Sequence, residues 1–294
     1  MSAPGAVFVS GATGRTGRAM IAAFVARGLE VVGLVRDPAK AAVIEALGAR
    51  AASGDLNDAE SLVTAAAGCR TFVHIGPPMD SREVEQTTAM LTAGQTVGAR
   101  DFIYYSVMHP LRQEVDHHRR KLIAEALVVE SGLAYTILQP CRYMQHLEAI
   151  WADVVATGVH AMPFSTHKRF SVVDLADLAV AVALVVSDSG HRYGSYELAG
   201  PQPLSQQDMA AIIAERIGCP VTARRIEPEL QATRMAAGGA TPERVSCALT
   251  MNRHYDAHGF LGNANVLRWL LGREPTTFAQ YVERLCGDGG SAAT

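Results

Sequence analysis

Apolar positions in the first half of the chain follow two alternating rhythms. Short runs of β-branched and aromatic residues, AVFVS at 6–10, EVVGLVR at 30–36 and TFVHI at 71–75, have the composition of buried strands. Between them lie stretches such as RTGRAMIAAFVARG at 15–28, where apolar side chains return every three or four positions and Gly28 supplies a stop. The same rhythm predicts helices over 38–47, after Asn57, over 83–97 and over 116–131, with strands at 50–52, 101–106 and 134–140. Strand, helix and strand in repetition give an α/β fold with a doubly wound parallel sheet.

After Pro140 the rhythm loosens. Helices are predicted over 143–157, 174–187 and 204–218, the last with Ser205 as N-cap and Gly218 as its end. Strands are predicted at RFSVV (169–173) and GSYELAG (194–200). These elements read as a smaller C-terminal α+β lobe for the substrate, lying over the C-terminal strand ends. The expected division is 1–150 for the sheet domain and 151–286 for the lobe, interleaved with it, with the small polar tail 287–294 disordered.

Composition narrows the class. The 294 residues are 49% hydrophobic and 19% charged, enough apolar material for a large core. A net charge of -3 supplies no overall field for nucleic acid or an anionic membrane. The longest apolar run, Leu178 to Val186, is too short to span a bilayer, and no export signal opens the chain. Cys69, Cys141, Cys219, Cys247 and Cys286 are scattered, with no C-x-x-C pair, as expected of reduced thiols in a cytoplasmic protein without a metal site.

VSGATGRTG places Gly11, Gly14 and Gly17 between the first strand and the first helix. Glycines there let the chain turn tightly, approach a pyrophosphate and pack the helix on the sheet, while the helix N-terminus offers free N–H groups to phosphate. Thr13, Arg15 and Thr16 belong to the same turn. An acidic residue ending the second strand would bind a ribose 2'-hydroxyl; here Arg36 comes first and Asp37 second. A guanidinium suits a 2'-phosphate, so NADP(H) is expected over NAD(H), with Arg15 as a second phosphate ligand and Asp37 as the residue arguing the other way.

GATGRTG, LVRDPAK, GDLND at 54–58, YYSVMHP at 104–110 and SGLAYTILQPCRYMQ at 131–145 together resemble the NmrA-like branch of the atypical short-chain dehydrogenase/reductases, over residues 6 to about 225. The resemblance implies a Rossmann domain with Asp55 and Leu56 beside the adenine. It also implies Gly76 and Pro77 beside the ribose and pyrophosphate, and Pro140 to Met144 by the nicotinamide and substrate. Such a family includes quinone and phenylpropanoid reductases as well as dinucleotide-sensing regulators.

Short-chain dehydrogenases commonly carry Ser, Tyr and Lys, the last two spaced YxxxK on one helix face. In DHHRRK (116–121) that frame reads His117 to Lys121, with histidine where tyrosine would stand. Ser106 matches the usual serine position, Lys121 the lysine that reaches the nicotinamide ribose, and Glu125, one turn on, is its expected ion-pair partner. An imidazole with pKa near 6.5 donates a proton at neutral pH more readily than a phenol, so His117 is the expected proton donor. His118 and His109 are candidates for the same role or, with Tyr143 and Met144, for holding substrate. The structural alternative is the hydrated end of a helix, with Arg119 and Arg120 on its surface. Tyr104, Trp151, Met162 and Phe164 are further candidates for an apolar pocket.

The leading expectation is an NADPH-dependent reductase of a small aromatic or conjugated carbonyl or quinone-like compound. The alternatives are a non-catalytic NADP(H)-sensing regulator and a lyase or isomerase on the same fold. A small-molecule substrate is expected, and no nucleic acid; a homodimer or protein partner is left open.

Overall fold

The computed structural model describes residues 5–289. The chain forms two compact units, one running to Gln139 and taking in Ala179–Tyr196, the other comprising Pro140–Leu178 and the chain from Glu197. The first boundary thus falls at Pro140, where the sequence reading placed it at residue 150, and the chain returns to the first unit before leaving it again.

In the first unit β1 (Ala6–Val9), β2 (Val31–Val35), β3 (Arg50–Ser53), β4 (Cys69–Ile75), β5 (Asp101–Tyr105) and β6 (Ala134–Pro140) alternate with helices. The helices are α1 (Arg15–Ala26), α2 (Ala41–Glu45), α3 (Ala59–Ala65), α4 (Glu83–Thr96) and α5 (Asp116–Glu130). All five residues of β2 are buried, as is expected where helices cover both faces of a parallel sheet. Phe8, Phe72, Phe102 and Tyr104 meet in its core.

The second unit begins with β7 (Arg142–Tyr143), α6 (Trp151–Thr157), β8 (Val159–Met162) and β9 (Phe170–Val173). The chain then returns to the first unit through most of the apolar helix α7 (Leu175–Ser187) and the start of β10 (Gly194–Leu198), and the second unit resumes with β11 (Pro203–Leu204), α8 (Gln206–Ile217) and β12 (Thr222–Arg225). Four helices close the chain: α9 (Pro228–Ala237), α10 (Pro242–His258), α11 (Asn265–Leu271) and α12 (Phe278–Gly289).

The main sheet runs β10-β6-β5-β4-β1-β2-β3. Chain order therefore reverses between β1 and β4, which pair in parallel, Phe8 against Phe72 and Val9 against Val73. A reversal of this kind opens a crevice at the carboxyl ends of the two strands, which positions the site below. Strand β10 was expected in the smaller lobe. It joins the edge of the main sheet instead, since periodicity identifies a strand but not the neighbour that it pairs with.

The second unit holds a sheet β11-β9-β7 and the pair β12-β8. Met144, Leu147, Val172, Met209, Ile213, Phe278 and Val282 form its core. Ser205 caps α8 in a reciprocal pair with Asp208, and Gly218 ends it at φ 71°, both as expected. Two fully buried carboxylates are held by arginines, Asp174 by Arg284 and Asp177 by Arg273. Helix α12 continues to Gly289, through the first residues expected to be disordered; positions 290–294 of that tail lie outside the described residues. Among the described residues no helix is long and apolar enough to cross a membrane, and no His, Cys, Asp and Glu cluster suits a metal.

Candidate functional site

At the crevice, Gly11 turns the chain from β1 into α1 at φ 62°, and a Cβ there would lie 2.5 Å from the Ile75 carbonyl. A Cβ on Gly17 would lie 2.2 Å from the Gly11 carbonyl, so the helix packs where only glycine fits. Gly14 is the N-cap of α1, and no side chain caps the helix or places an acid in its first turn. Thr13 and Thr16 are half-buried and Arg15 is exposed. Uncapped first-turn N–H groups behind a glycine cradle fit a pyrophosphate.

Arg36 is exposed just beyond β2, and no carboxylate pairs with it among the described residues. The Asp37 carboxylate accepts the Ala39 N–H at 3.0 Å, capping the short 3-10 turn Pro38–Lys40. The acid at this strand end is thus occupied locally, and the guanidinium is the unmatched charge. In the loop after β3, Asp55 Oδ1 accepts from Asn57 N (2.9 Å) and Nδ2 (2.7 Å), while Leu56 packs partly against the core. Gly76 and Pro77 are half-buried after β4, and a Cβ on Gly76 would lie 2.7 Å from the Glu83 carboxylate.

Glu83 belongs to a buried polar cluster that local spacing did not reveal. Its Oε1 accepts from Tyr104 O–H (2.7 Å) and from Lys121 Nζ (2.8 Å), which also donates to the Tyr105 carbonyl (2.9 Å). The ammonium lies 4.8 Å from the centre of the Tyr104 ring. Next to it His74 stacks on Tyr104, with Nδ1 2.8 Å from Ser10 Oγ, which in turn accepts the Ile75 N–H. Burial would raise Glu83, but Lys121, His74 and the hydrogen bonds outweigh it and hold the carboxyl below its ordinary value. Burial drives Tyr104 far up, reinforced by Glu83, and pushes His74 down to about 4.

The expected Lys121–Glu125 pair is therefore replaced by Lys121–Glu83. Glu125 instead accepts from the Ser106 hydroxyl and from Gln139 Nε2, at 3.0 Å to each oxygen, and burial raises its carboxyl. Ser106 is buried, so the serine and lysine expected to face cofactor both have internal partners.

The histidines of α5 also differ from expectation. His118 is fully buried and donates from Nδ1 to the His109 carbonyl (2.8 Å), tying the loop after β5 to the helix. His109 itself bends that loop at φ 58°. His117 keeps part of its surface exposed, yet its desolvation, followed by the charges of Lys121 and His118, pushes its pKa down to about 3. The value of 6.5 assumed a solvated ring; a ring held neutral is a poor proton donor. Arg119 and Arg120 pair with Asp116 at the helix surface, as expected.

The neutral rings of His74 and His117 give a pH dependence of known sign. Unfolded histidine takes up a proton below about 6.5, whereas His74 resists until about 4, so stability is full above 6.5 and falls with pH between those values. For His74 alone the loss by pH 4.5 is about 2–3 kcal/mol. Glu83 adds to it only below its ordinary value of 4.5. The urea midpoint of unfolding is expected to drop from pH 7 to pH 5, and less steeply in His74→Asn. An unchanged midpoint would contradict the buried neutral ring.

In the second unit, Pro140 is buried at the end of β6, and Tyr143 and Met144 line a pocket together with Arg142, His160 and Met162. Phe164 is buried against Arg142. Trp151 packs on the core, and Tyr104 lies in the core of the first unit. Sequence reasoning missed His160, Glu83, His74 and Ser10, and included Arg142 only as part of the Pro140 to Met144 segment. The available signal was a histidine inside the otherwise apolar strand TFVHI.

Residues 4–282 match the NmrA-like family. The chain is 29% identical to the NAD(P)H azoreductase of Xenophilus azovorans over 288 residues, covering 97% of this chain and 100% of that protein. It is 25% identical to quinone oxidoreductase 2 of Escherichia coli over 281 residues, covering 95% and 98%. The crystal structure of the NADPH-dependent quinone oxidoreductase from Escherichia coli with NADPH superposes with a TM-score of 0.83 at 24% identity, covering 95% of this chain and 99% of that one.

Proposed function

The chain belongs to the NmrA-like family, and from that premise we propose that it is an NADPH-dependent reductase whose acceptor is a quinone or a similarly conjugated dye. The observation that carries the reading is the cradle at the β1–β4 crevice, where Gly11 and Gly17 exclude any Cβ and α1 presents uncapped N–H groups. Names of full-length relatives, an azoreductase and a quinone oxidoreductase, support the acceptor class. When bound, NADPH supplies a hydride. Gly11 to Gly17 would hold the pyrophosphate and Arg36 the 2'-phosphate, with Asp55 and Pro77 at the cofactor's flanks.

The neutral His117 favours a quinone over a simple ketone. Hydride addition to a ketone leaves an alkoxide that needs an acid at hand. Addition to a quinone leaves a phenolate-like anion with pKa near 10, stable enough to take its proton from water. Two electrons and one proton with the hydride, then one proton from solvent, complete the hydroquinone. In this reading Lys121 and Ser106 position α5 against β5.

The same observation favours a second reading, a dinucleotide-sensing protein without turnover, because α5 presents neither tyrosine nor a readily protonated histidine. With a quinone as acceptor, kcat/KM for NADPH is expected to exceed that for NADH by about tenfold or more, and Arg36→Asp to remove the preference. Equal use of both cofactors by the wild type would sink the NADP(H) assignment.

A further inference from the structure

Asp55 and Asn57 lie in the loop after β3, and Gly76, Pro77 and Asp80 in the loop after β4. The side chain of Gln86, near the start of α4, reaches both loops. Its Nε2 donates to Asn57 Oδ1 at 3.3 Å and to Asp80 Oδ2 at 3.4 Å. Each acceptor is anchored within its own loop: Asn57 Nδ2 donates to Asp55 Oδ1 at 2.7 Å, and Asp80 accepts the Arg82 N–H at 2.9 Å. The amide is therefore a cross-link between the two loops, extended from a helix whose Met90, Leu91 and Ala93 are fixed in the core.

The amide is a poor choice for stability. Gln86 is 2% exposed, and its Oε1 has no partner among the described residues. A buried acceptor left unsatisfied is destabilising, and a methionine, of nearly the same length and readily adapted to its surroundings, would fill the space without that oxygen. The acceptors it left behind would stay within reach of water, since Asn57 is exposed and Asp80 only half-buried. Packing alone thus favours an apolar side chain at this position, and what the glutamine adds is the cross-link.

We propose that Gln86 is a positioning residue for the cofactor, holding the loops after β3 and β4 at the spacing that its adenosine end requires. Loops already held in place lose less freedom when the cofactor binds, so the cross-link raises affinity without touching the ligand. The proposal rests on the cofactor reading above, in which Asp55 and Pro77 flank the dinucleotide. It is independent of the acceptor and of hydride transfer.

Isothermal titration of the full chain with NADPH and with adenosine 2',5'-bisphosphate, which carries the adenosine end alone, tests it beside urea unfolding. Gln86→Met is expected to bind both ligands about tenfold more weakly, with a urea midpoint equal to or above that of the wild type. With a quinone as acceptor, its KM for NADPH should rise by a similar factor while kcat stays within about twofold. Asn57→Ala removes one end of the cross-link at an exposed position and should also weaken the bisphosphate. The double variant should then lose less than the product of the two single losses, because the substitutions act on one contact. Wild-type affinity in Gln86→Met would overturn the proposal. So would an affinity that falls only together with the urea midpoint, the sign of a merely structural side chain. Failure of the wild type to bind either ligand would remove the cofactor reading, and this proposal with it.

Discussion

Replacing Lys121 with methionine is expected to destabilise the protein by about 3–5 kcal/mol, because it leaves a buried carboxylate without its counter-charge. Glu83 is 1% exposed, and Lys121 is its nearest cation, at 2.8 Å. One Glu83 oxygen already has no partner among the described residues, so the remaining one carries the whole compensation, from Lys121 and Tyr104. The double variant Glu83→Gln/Lys121→Met should recover most of the loss, since removing both charges also removes their desolvation penalty. Urea unfolding followed by circular dichroism reads both. If Lys121 served chiefly as a cofactor ligand, the single variant would keep wild-type stability and lose only NADPH affinity.

The Gly17→Ala substitution should have the largest effect on the cofactor. The added Cβ would meet backbone at 2.2 Å from the Gly11 carbonyl and 2.7 Å from Ala12 Cα, and backbone in a packed turn has nowhere to yield. Helix α1 must then tilt from β1, which misdirects the first-turn N–H groups from the pyrophosphate. NADPH affinity is expected to fall by about 100-fold or more, equivalent to about 2.7 kcal/mol. Fluorescence titration checks it, and unchanged affinity would refute the cradle.

The inner strands were legible because a parallel sheet buried on both faces demands apolar runs, and AVFV, VVGLV and TFVHI are such runs; the edge strand β3, RAAS, is partly exposed and carries no such run. The glycine turn was legible because its chemistry is local. Lys121 was not, since its partner lies 38 residues away; the only acid in helical reach was Glu125, which serves Ser106 and Gln139 instead. Nor can a sequence tell that His117 is desolvated, so its ordinary pKa was the wrong starting value. In the second unit, β7 and β11 are two residues each, α9 and α10 mix polar with apolar residues, and α11 is seven residues long, which leaves little period to read.

The central claim is that NADPH held in the cradle would supply a hydride to a quinone-like acceptor. Anaerobic mixing of the NADPH-saturated protein with a water-soluble quinone, followed by nicotinamide absorbance in a single turnover, tests it most directly. The account predicts one NADPH oxidised per protein and hydroquinone formed in equal amount, with no such phase in Gly17→Ala at the same NADPH concentration. Tight NADPH binding with no oxidation by any quinone or azo dye would contradict it and leave the sensing reading in its place.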